Sequence, residues 1–321
     1  MKSRRVQHLM AVALASLVLA AIFAVPGQAQ TDPIRRTLGE HTFLPSALLG
    51  DPFTGTYIRN ITGGGSAVAL QVPKLDLSEQ VIGYQDASMS FLTVGMDYQQ
   101  SVVPWLAFRA GFTGGARLGT SVPALLAEGV TAQFGATVGA TARLVGTDRF
   151  ILSTTADVVP GVTYEISILD FAKDVIASGF DSTSTLLSKG SPYRYRFGGN
   201  AAYCVSPWLG LQATGTVGPV QISSGAKDTE VRLGAGASLN FDPIGPPIGV
   251  LLGYLYTDPV VGVGGGNVVG GAGIANTGVF YTGHERLVVG LDMQFTSVDQ
   301  THGDKPLDVV IGRMVLRYDF Q

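Results

Sequence analysis

The chain has 321 residues, of which 46% are hydrophobic and only 14% are charged, and it contains 43 glycines. Globular proteins have about 25% charged residues and about 7% glycine. A composition this apolar excludes a disordered chain, a coiled coil and a nucleic-acid-binding protein. The formal net charge is −3, and Cys204 is the single cysteine. One cysteine excludes an internal disulfide framework and a multi-cysteine metal site.

Residues 1–29 have the pattern of a secretory signal peptide. Three basic residues precede an apolar run that ends at Pro26, and small residues follow it. This run is short for a membrane span, so we expect a cleaved signal rather than an N-terminal anchor. Removing residues 1–29 takes away three basic residues and no acidic ones, which changes the formal charge from −3 to −6. We therefore expect an exported protein.

The rest of the chain carries its hydropathy in alternating residues. From 130 to 146, one parity is apolar throughout and the other contains Thr, Gln, Gly and Arg. The same division recurs at 229–241 and at 286–296. Alternate residues of a strand face opposite sides, and these runs match the 9 to 11 residues that a tilted strand needs to cross a bilayer. The pattern predicts an all-β protein, an antiparallel transmembrane β-barrel.

The number of strands follows from the connections between these runs. Ten runs are clear, and their links alternate between short and long, which is typical of periplasmic turns and outer loops. Two weaker runs, 67–72 and 274–282, bring both chain ends to the inner side. We therefore predict about 12 strands, with 10 to 14 compatible with the pattern, over residues 66–321. The ten clear runs are 88–98, 105–115, 130–146, 149–159, 194–205, 207–217, 229–241, 247–257, 286–296 and 308–320.

Two further segments have an expected place in this barrel. Residues 30–65 are rich in apolar residues without periodicity, which is compatible with a plug in the inner mouth or with a loose tail. Residues 167–178, in an outer loop, have the pattern of a short amphipathic helix. Its apolar face would constrict the outer mouth or pack on the rim. That face includes Ile168, Phe171, Val175 and Ile176.

The C-terminal run resembles the last strand of bacterial outer-membrane β-barrels of the porin or channel-like class. Its apolar residues alternate up to Phe320. The resemblance implies a bacterial outer-membrane location, contact with its lipid, and recognition of this strand by the barrel-assembly machinery. The size and the N-terminal apolar segment also resemble, more weakly, twelve-stranded barrels linked to the uptake of hydrophobic or aromatic compounds. The alternating residues are Val310, Gly312, Met314, Leu316, Tyr318 and Phe320.

The parity opposite to the lipid face is rich in arginine. We expect these arginines to line the lumen together with several carboxylates, either as a mutually paired structural network or as a passage that favours anionic or polar solutes. If the lumen has room, arginine should be better tolerated at inward-facing Gly234 than at outward-facing Leu233. The candidate lumen residues are Arg109, Arg143, Arg194, Arg196, Arg232, Asp292, Arg313 and Arg317.

The main functional hypothesis is an outer-membrane barrel that conducts or binds small solutes. The alternative is a non-conducting structural or adhesive barrel that presents acidic surface loops, and a soluble exported β-sandwich is a third possibility. The four histidines lack metal-ligand spacing, so we expect no metal and no cofactor. A Ser and a His on one wall would be needed for a hydrolase, and only His284 beside Glu285 comes near, so we expect no enzymatic activity.

Overall fold

The computed structural model describes residues 36–75, 81–121, 125, 129–166, 187–221, 227–258, 260–261, 268–269, 271–298 and 306–320. Within these ranges, twelve long antiparallel strands form one sheet, in which each strand pairs with the next along the chain. The last strand pairs with the first, so the sheet closes into a barrel. The predicted antiparallel barrel of about twelve strands is confirmed.

The barrel strands are numbered in chain order. They are β1 (Tyr57–Leu75), β2 (Val81–Val103), β3 (Leu106–Gly119), β4 (Val130–Gly146), β5 (Phe150–Ile166), β6 (Tyr193–Ser206), β7 (Leu209–Gln221), β8 (Lys227–Asn240), β9 (Ile248–Asp258), β10 (Ala272–Tyr281), β11 (Leu287–Val298) and β12 (Leu307–Asp319). Smaller elements are the strands Thr37–Leu38, His41–Thr42, Leu187–Gly190, Val260–Val261 and Val268–Val269, and one 3-10 turn, Asp242–Ile244.

The two faces of the wall separate apolar from polar side chains. In β11, Leu291, Met293 and Phe295 are exposed on the outside, whereas Asp292 between them is buried. Apolar residues stay on an outer face only where that face meets lipid rather than water. Within the described residues, no helix is long and apolar enough to span a membrane. The alternation of apolar and polar residues in the sequence is therefore the alternation of lipid-facing and lumen-facing side chains in the wall.

The first strand begins earlier than the sequence predicts. β1 starts at Tyr57, not near residue 66, so part of the predicted segment 30–65 belongs to the barrel wall. Inward-facing Tyr57 is fully buried, while Thr62 and Ser66 are on the exposed outer side. At this start of β1, Arg59 also faces inward, and the outer positions from 60 to 66 are polar or glycine. The outer face therefore lacks the apolar residues of the other strands, which hides β1 from a search for apolar outer faces.

The residues before β1 run inside the barrel. We call residues 36–56 the lumen segment. It contains a tight hairpin whose turn residues, Gly39 and Glu40, both have positive φ, as type I′ hairpins require. Many of its side chains are buried, including Phe43, Leu44 and Phe53. The predicted helix at 167–178, with Ile168, Phe171, Val175 and Ile176, lies outside the described residues.

Candidate functional site

The lumen segment contacts strands from opposite sides of the barrel. His41 lies within hydrogen-bond distance of the Pro207 carbonyl (3.1 Å) and the Ser238 hydroxyl (3.3 Å), on the β6–β8 side. Across the lumen, the Gln99 side-chain amide on β2 donates to the Phe53 carbonyl at 2.8 Å. The segment therefore crosses the lumen at the end where the short turns lie.

Glycines of the inner wall provide the space for the lumen segment. A Cβ atom at Gly234 would lie 2.6 Å from a methyl carbon of Leu49, and one at Gly249 would lie 2.8 Å from Leu44. A Cβ at Gly50, in the segment itself, would lie 2.6 Å from the Asn200 Cγ atom. Such distances leave no space for a side chain. The lumen therefore has no room at Gly234, and the condition for a tolerated arginine there is not met.

One buried ion cluster ties the lumen segment to the last strand. Arg317 on β12, which is 1% exposed, pairs with Asp51 of the segment and with Asp319 at 2.7 Å. Its guanidinium also stacks on the Tyr57 ring, 3.7 Å from the centroid. Burial would raise the pKa of Asp51, but Arg317, Arg36 and the Phe53 N–H together lower that pKa to about 2. Asp51 is therefore ionised at neutral pH.

Four more ion pairs line the inner wall of the barrel, and we call them the charge belt. They join Arg59 to Asp97, Arg109 to Asp157, Arg196 to Glu230 and Arg313 to Asp292. All eight side chains are mostly buried. Because each guanidinium has a carboxylate, the belt adds no net charge to the lumen. Three of the seven arginines predicted to face inward, Arg109, Arg196 and Arg313, are thus paired with carboxylates in the belt.

Two belt pairs span three strands across a glycine. Arg109 on β3 and Asp157 on β5 both lie opposite Gly139 on β4. Arg109 Nη2 donates to the two Asp157 oxygens at 2.5 and 2.6 Å, and a Cβ at 139 would overlap that carboxylate. Gly218 on β7 lies opposite Glu230 in the second pair, but a Cβ there would meet the Tyr195 backbone and not the ion pair. Gly139 therefore leaves room for its pair directly, whereas Gly218 allows close approach of the neighbouring strand.

A cavity of about 390 Å³ lies in the lumen on the long-loop side of the segment, and we call it the outer cavity. Ala47 of the lumen segment is part of its lining. A second cavity of about 510 Å³ lies at the short-turn end, between the segment and residues of the turns at 242 and 282–285. The lumen segment separates the two cavities. The outer cavity is also lined by Ile61, Thr93, Thr113, Gln133, Arg194, Gln294, Ile311 and Arg313.

The remaining predicted lumen arginines differ in their surroundings. Arg194 lines the outer cavity, and within the described residues neither it nor Arg232 has a carboxylate at salt-bridge distance. Arg143 lies at the short-turn end, where its side chain packs against Gly146. The structure therefore brings Arg194 into the cavity, places Arg232 close to the belt pair of Arg196, and leaves Arg143 at the rim.

Sequence reasoning missed three residues of the site. Arg59 was overlooked because its strand was predicted to begin later, and Asp51 and Arg36 lie in a segment without periodicity. In the part of the chain that is described, no group of three or more His, Cys, Asp or Glu side chains is placed to hold a metal ion. His284 accepts from the backbone N–H groups of Arg286 and Leu287 at 3.2 and 3.1 Å, so it stabilises a turn.

The fold and the lumen define a closed, twelve-stranded barrel of the outer-membrane class. The chain is similar in structure to the translocator domain of the autotransporter NalP from Neisseria meningitidis, with 12% identity, 85% of this chain and 90% of that chain covered, and a TM-score of 0.50. It is also similar to an outer-membrane channel from Pseudomonas putida F1, with 12% identity, 86% and 99% covered, and a TM-score of 0.51. At this identity the likeness shows the fold alone. No family model and no curated protein sequence matches the chain.

Proposed function

We propose that this protein is an outer-membrane solute channel whose lumen segment controls passage between the outer cavity and the short-turn end. The observation that carries the proposal is the position of that segment, which separates two cavities inside one barrel. In barrels of this class the short turns face the periplasm. A solute entering from the outside would reach the outer cavity first and would stop at the lumen segment.

The distribution of ion pairs supports a segment that can move. All four pairs of the charge belt join wall to wall, so they remain when the segment leaves. The segment is held by the Asp51 cluster and by scattered hydrogen bonds, such as that from Arg59 Nη1 to the Ser46 carbonyl at 2.7 Å. The barrel wall and the segment are thus stabilised by largely separate interactions.

The same position of the segment favours a second candidate, a barrel that never conducts and serves an envelope or adhesive role. In that case the buried contacts of Phe43, Leu44 and Phe53 would be permanent core packing. The two candidates differ in one property, which is whether the segment leaves the lumen. A covalent lock between segment and wall therefore distinguishes them.

The lock uses the close approach of Gly50 to Asn200. We would introduce Gly50→Cys with Asn200→Cys in a Cys204→Ser background, because a Cβ at 50 lies near Asn200 and disulfides need neighbouring Cβ atoms. Under reducing conditions the reconstituted barrel should show openings in a planar bilayer and admit small solutes into liposomes. Oxidation should abolish both, while the Asn200→Cys single variant in the same background, which leaves Gly50 in place, should not respond. Equal passage through the oxidised and reduced barrels would contradict control by the segment.

Export and membrane insertion belong to the same proposal. We infer that residues 1–29 direct export and that the barrel-assembly machinery recognises β12. The exposed apolar outer face supports insertion into lipid. Membrane fractionation of the whole chain, compared with one variant lacking residues 1–29 and another lacking residues 308–321, tests the two steps separately.

A further inference from the structure

We propose that the outer cavity is a binding site for a small organic monocarboxylate with a short apolar body, whose carboxylate pairs with Arg194. This inference rests on the proposed function in one respect only, because it names the solute that the proposed channel would carry. The cavity of about 390 Å³ falls in the size range of small-molecule sites.

The first argument is the charge balance around Arg194. The neighbouring carboxylates are already engaged, since Asp157 accepts from Arg109 and Glu230 accepts from Arg196 Nε at 2.9 Å. In this region four arginines, Arg109, Arg194, Arg196 and Arg232, face two carboxylates. Among the described residues, the region therefore has two positive charges in excess.

The second argument is where that excess is accessible. Arg194 is the member of this group that lines the outer cavity, and Arg313, the other arginine of the lining, is paired with Asp292. A guanidinium stays protonated and binds a carboxylate through two parallel N–H donors. The low dielectric of a closed lumen strengthens this pairing relative to water. An entering anion would thus find its strongest partner at Arg194.

The third argument is the opposite wall of the cavity. Ile61 on β1 and Ile311 on β12 line it, on the far side of the barrel from β6, which carries Arg194. An ion without an apolar part would leave these side chains in contact with water. A short alkyl chain covers them while its carboxylate reaches Arg194, and burial of apolar surface adds to the affinity. The lining therefore favours an amphipathic anion over inorganic phosphate.

The test is isothermal titration of the full barrel in detergent micelles at pH 8, with hexanoate as the probe and empty micelles as the reference. Hexanoate should bind at one saturable site, and 1-hexanol and inorganic phosphate should bind at least about tenfold more weakly, since each lacks one of the two contacts. Arg194→Gln should weaken hexanoate binding by about tenfold or more. Arg149→Gln, in an exposed short turn, is the matched control.

Ile311→Thr provides a second, independent variant that keeps a β-branched residue in the strand. It should weaken hexanoate binding several-fold and leave the weaker binding of phosphate unchanged. Hexanoate binding that is unchanged by Arg194→Gln, or equal affinity for phosphate and hexanoate, would overturn the proposal. Binding does not require passage, so a barrel that binds hexanoate but never conducts would reject the channel and keep the site.

Discussion

The two halves of the lumen are built in opposite ways. At the short-turn end, the lumen segment fills the space, and its Asp51 is buried against Arg317 and Arg36. On the long-loop side, an open cavity exposes Arg194, which has no carboxylate partner among the described residues. The charge belt lies between them and is electrically balanced. In the proposed channel, closure and solute binding would therefore belong to separate halves of one barrel.

The filled half should depend most strongly on Arg317. Arg317→Met leaves Asp51 and Asp319 buried without their common partner, and breaking a buried ion pair from one side costs about 3–5 kcal/mol. We expect a loss of that size in the free energy of unfolding, measured by urea titration in lipid vesicles. Arg149→Met, in an exposed turn, is the control. A similar loss in both variants would show that the cluster does not hold this half together.

Both halves of the lumen are enclosed by one wall, whose outer face should meet lipid. Leu291 on β11 and Ile244 in a short turn are equally exposed, at 69% and 70%. Leu291→Arg should oppose membrane insertion by about 2–4 kcal/mol, whereas Ile244→Arg should have little effect because it lies at the turn. The folded fraction after refolding into vesicles measures the difference. Equal tolerance at the two positions would place the outer face in water.

Acid should loosen the filled half selectively. The pKa of Asp51 is about 2, below its ordinary value of 3.8, so its ionised form stabilises the folded segment by about 2 kcal/mol. A lowered pKa contributes this stability above about pH 4 and loses it as the pH falls toward 2. Channel openings should therefore increase over that interval. Asp51→Asn should show more openings already at pH 7, and Asp148→Asn, in an exposed turn, should behave as the wild type.

A substitution that disturbs the charge belt should have the smallest of these effects on the free energy of unfolding. In Gly139→Ala the new methyl group overlaps the Asp157 carboxylate, which must shift away from Arg109. The methyl carbon would also lie 2.5 Å from the Ala156 carbonyl oxygen, and overpacking of this kind costs about 1–3 kcal/mol. Gly95→Ala, also inward-facing but with its nearest contact at 3.8 Å, is the matched control. Unfolding in urea that does not distinguish the two would show that the glycine is not needed for the pair.

The barrel could be predicted from the sequence because alternation is a local property. One apolar parity in β4, β8 and β11 is sufficient to assign a lipid-facing strand. The start of β1 could not be found in this way, because Tyr57 and Ile61 face inward and the outer positions from 60 to 66 are polar or glycine. Where a strand makes apolar contacts inside the lumen, the polarity of its residues no longer shows which face is turned to the lipid.

The candidate site was predictable only in part, because parity assigns a face but not a partner. The sequence indicates that Arg109 and Arg196 face inward, yet their pairing depends on register across three strands. The lumen segment contacts several strands through Phe43, Leu49 and Phe53, so its apolar residues follow no period. Inward glycines suggested free space, although that space is occupied by residues distant in the chain.

Closure of the lumen by the segment is tested most directly by single-channel conductance of the wild type and of a variant lacking residues 36–53, which keeps β1 intact. Both proteins would first be shown to be folded by faster migration on unheated gels. We expect the wild type to be mostly closed at neutral pH and the deletion variant to conduct steadily. A wild type that is as open as the variant, or a folded variant that never conducts, would contradict closure by the lumen segment.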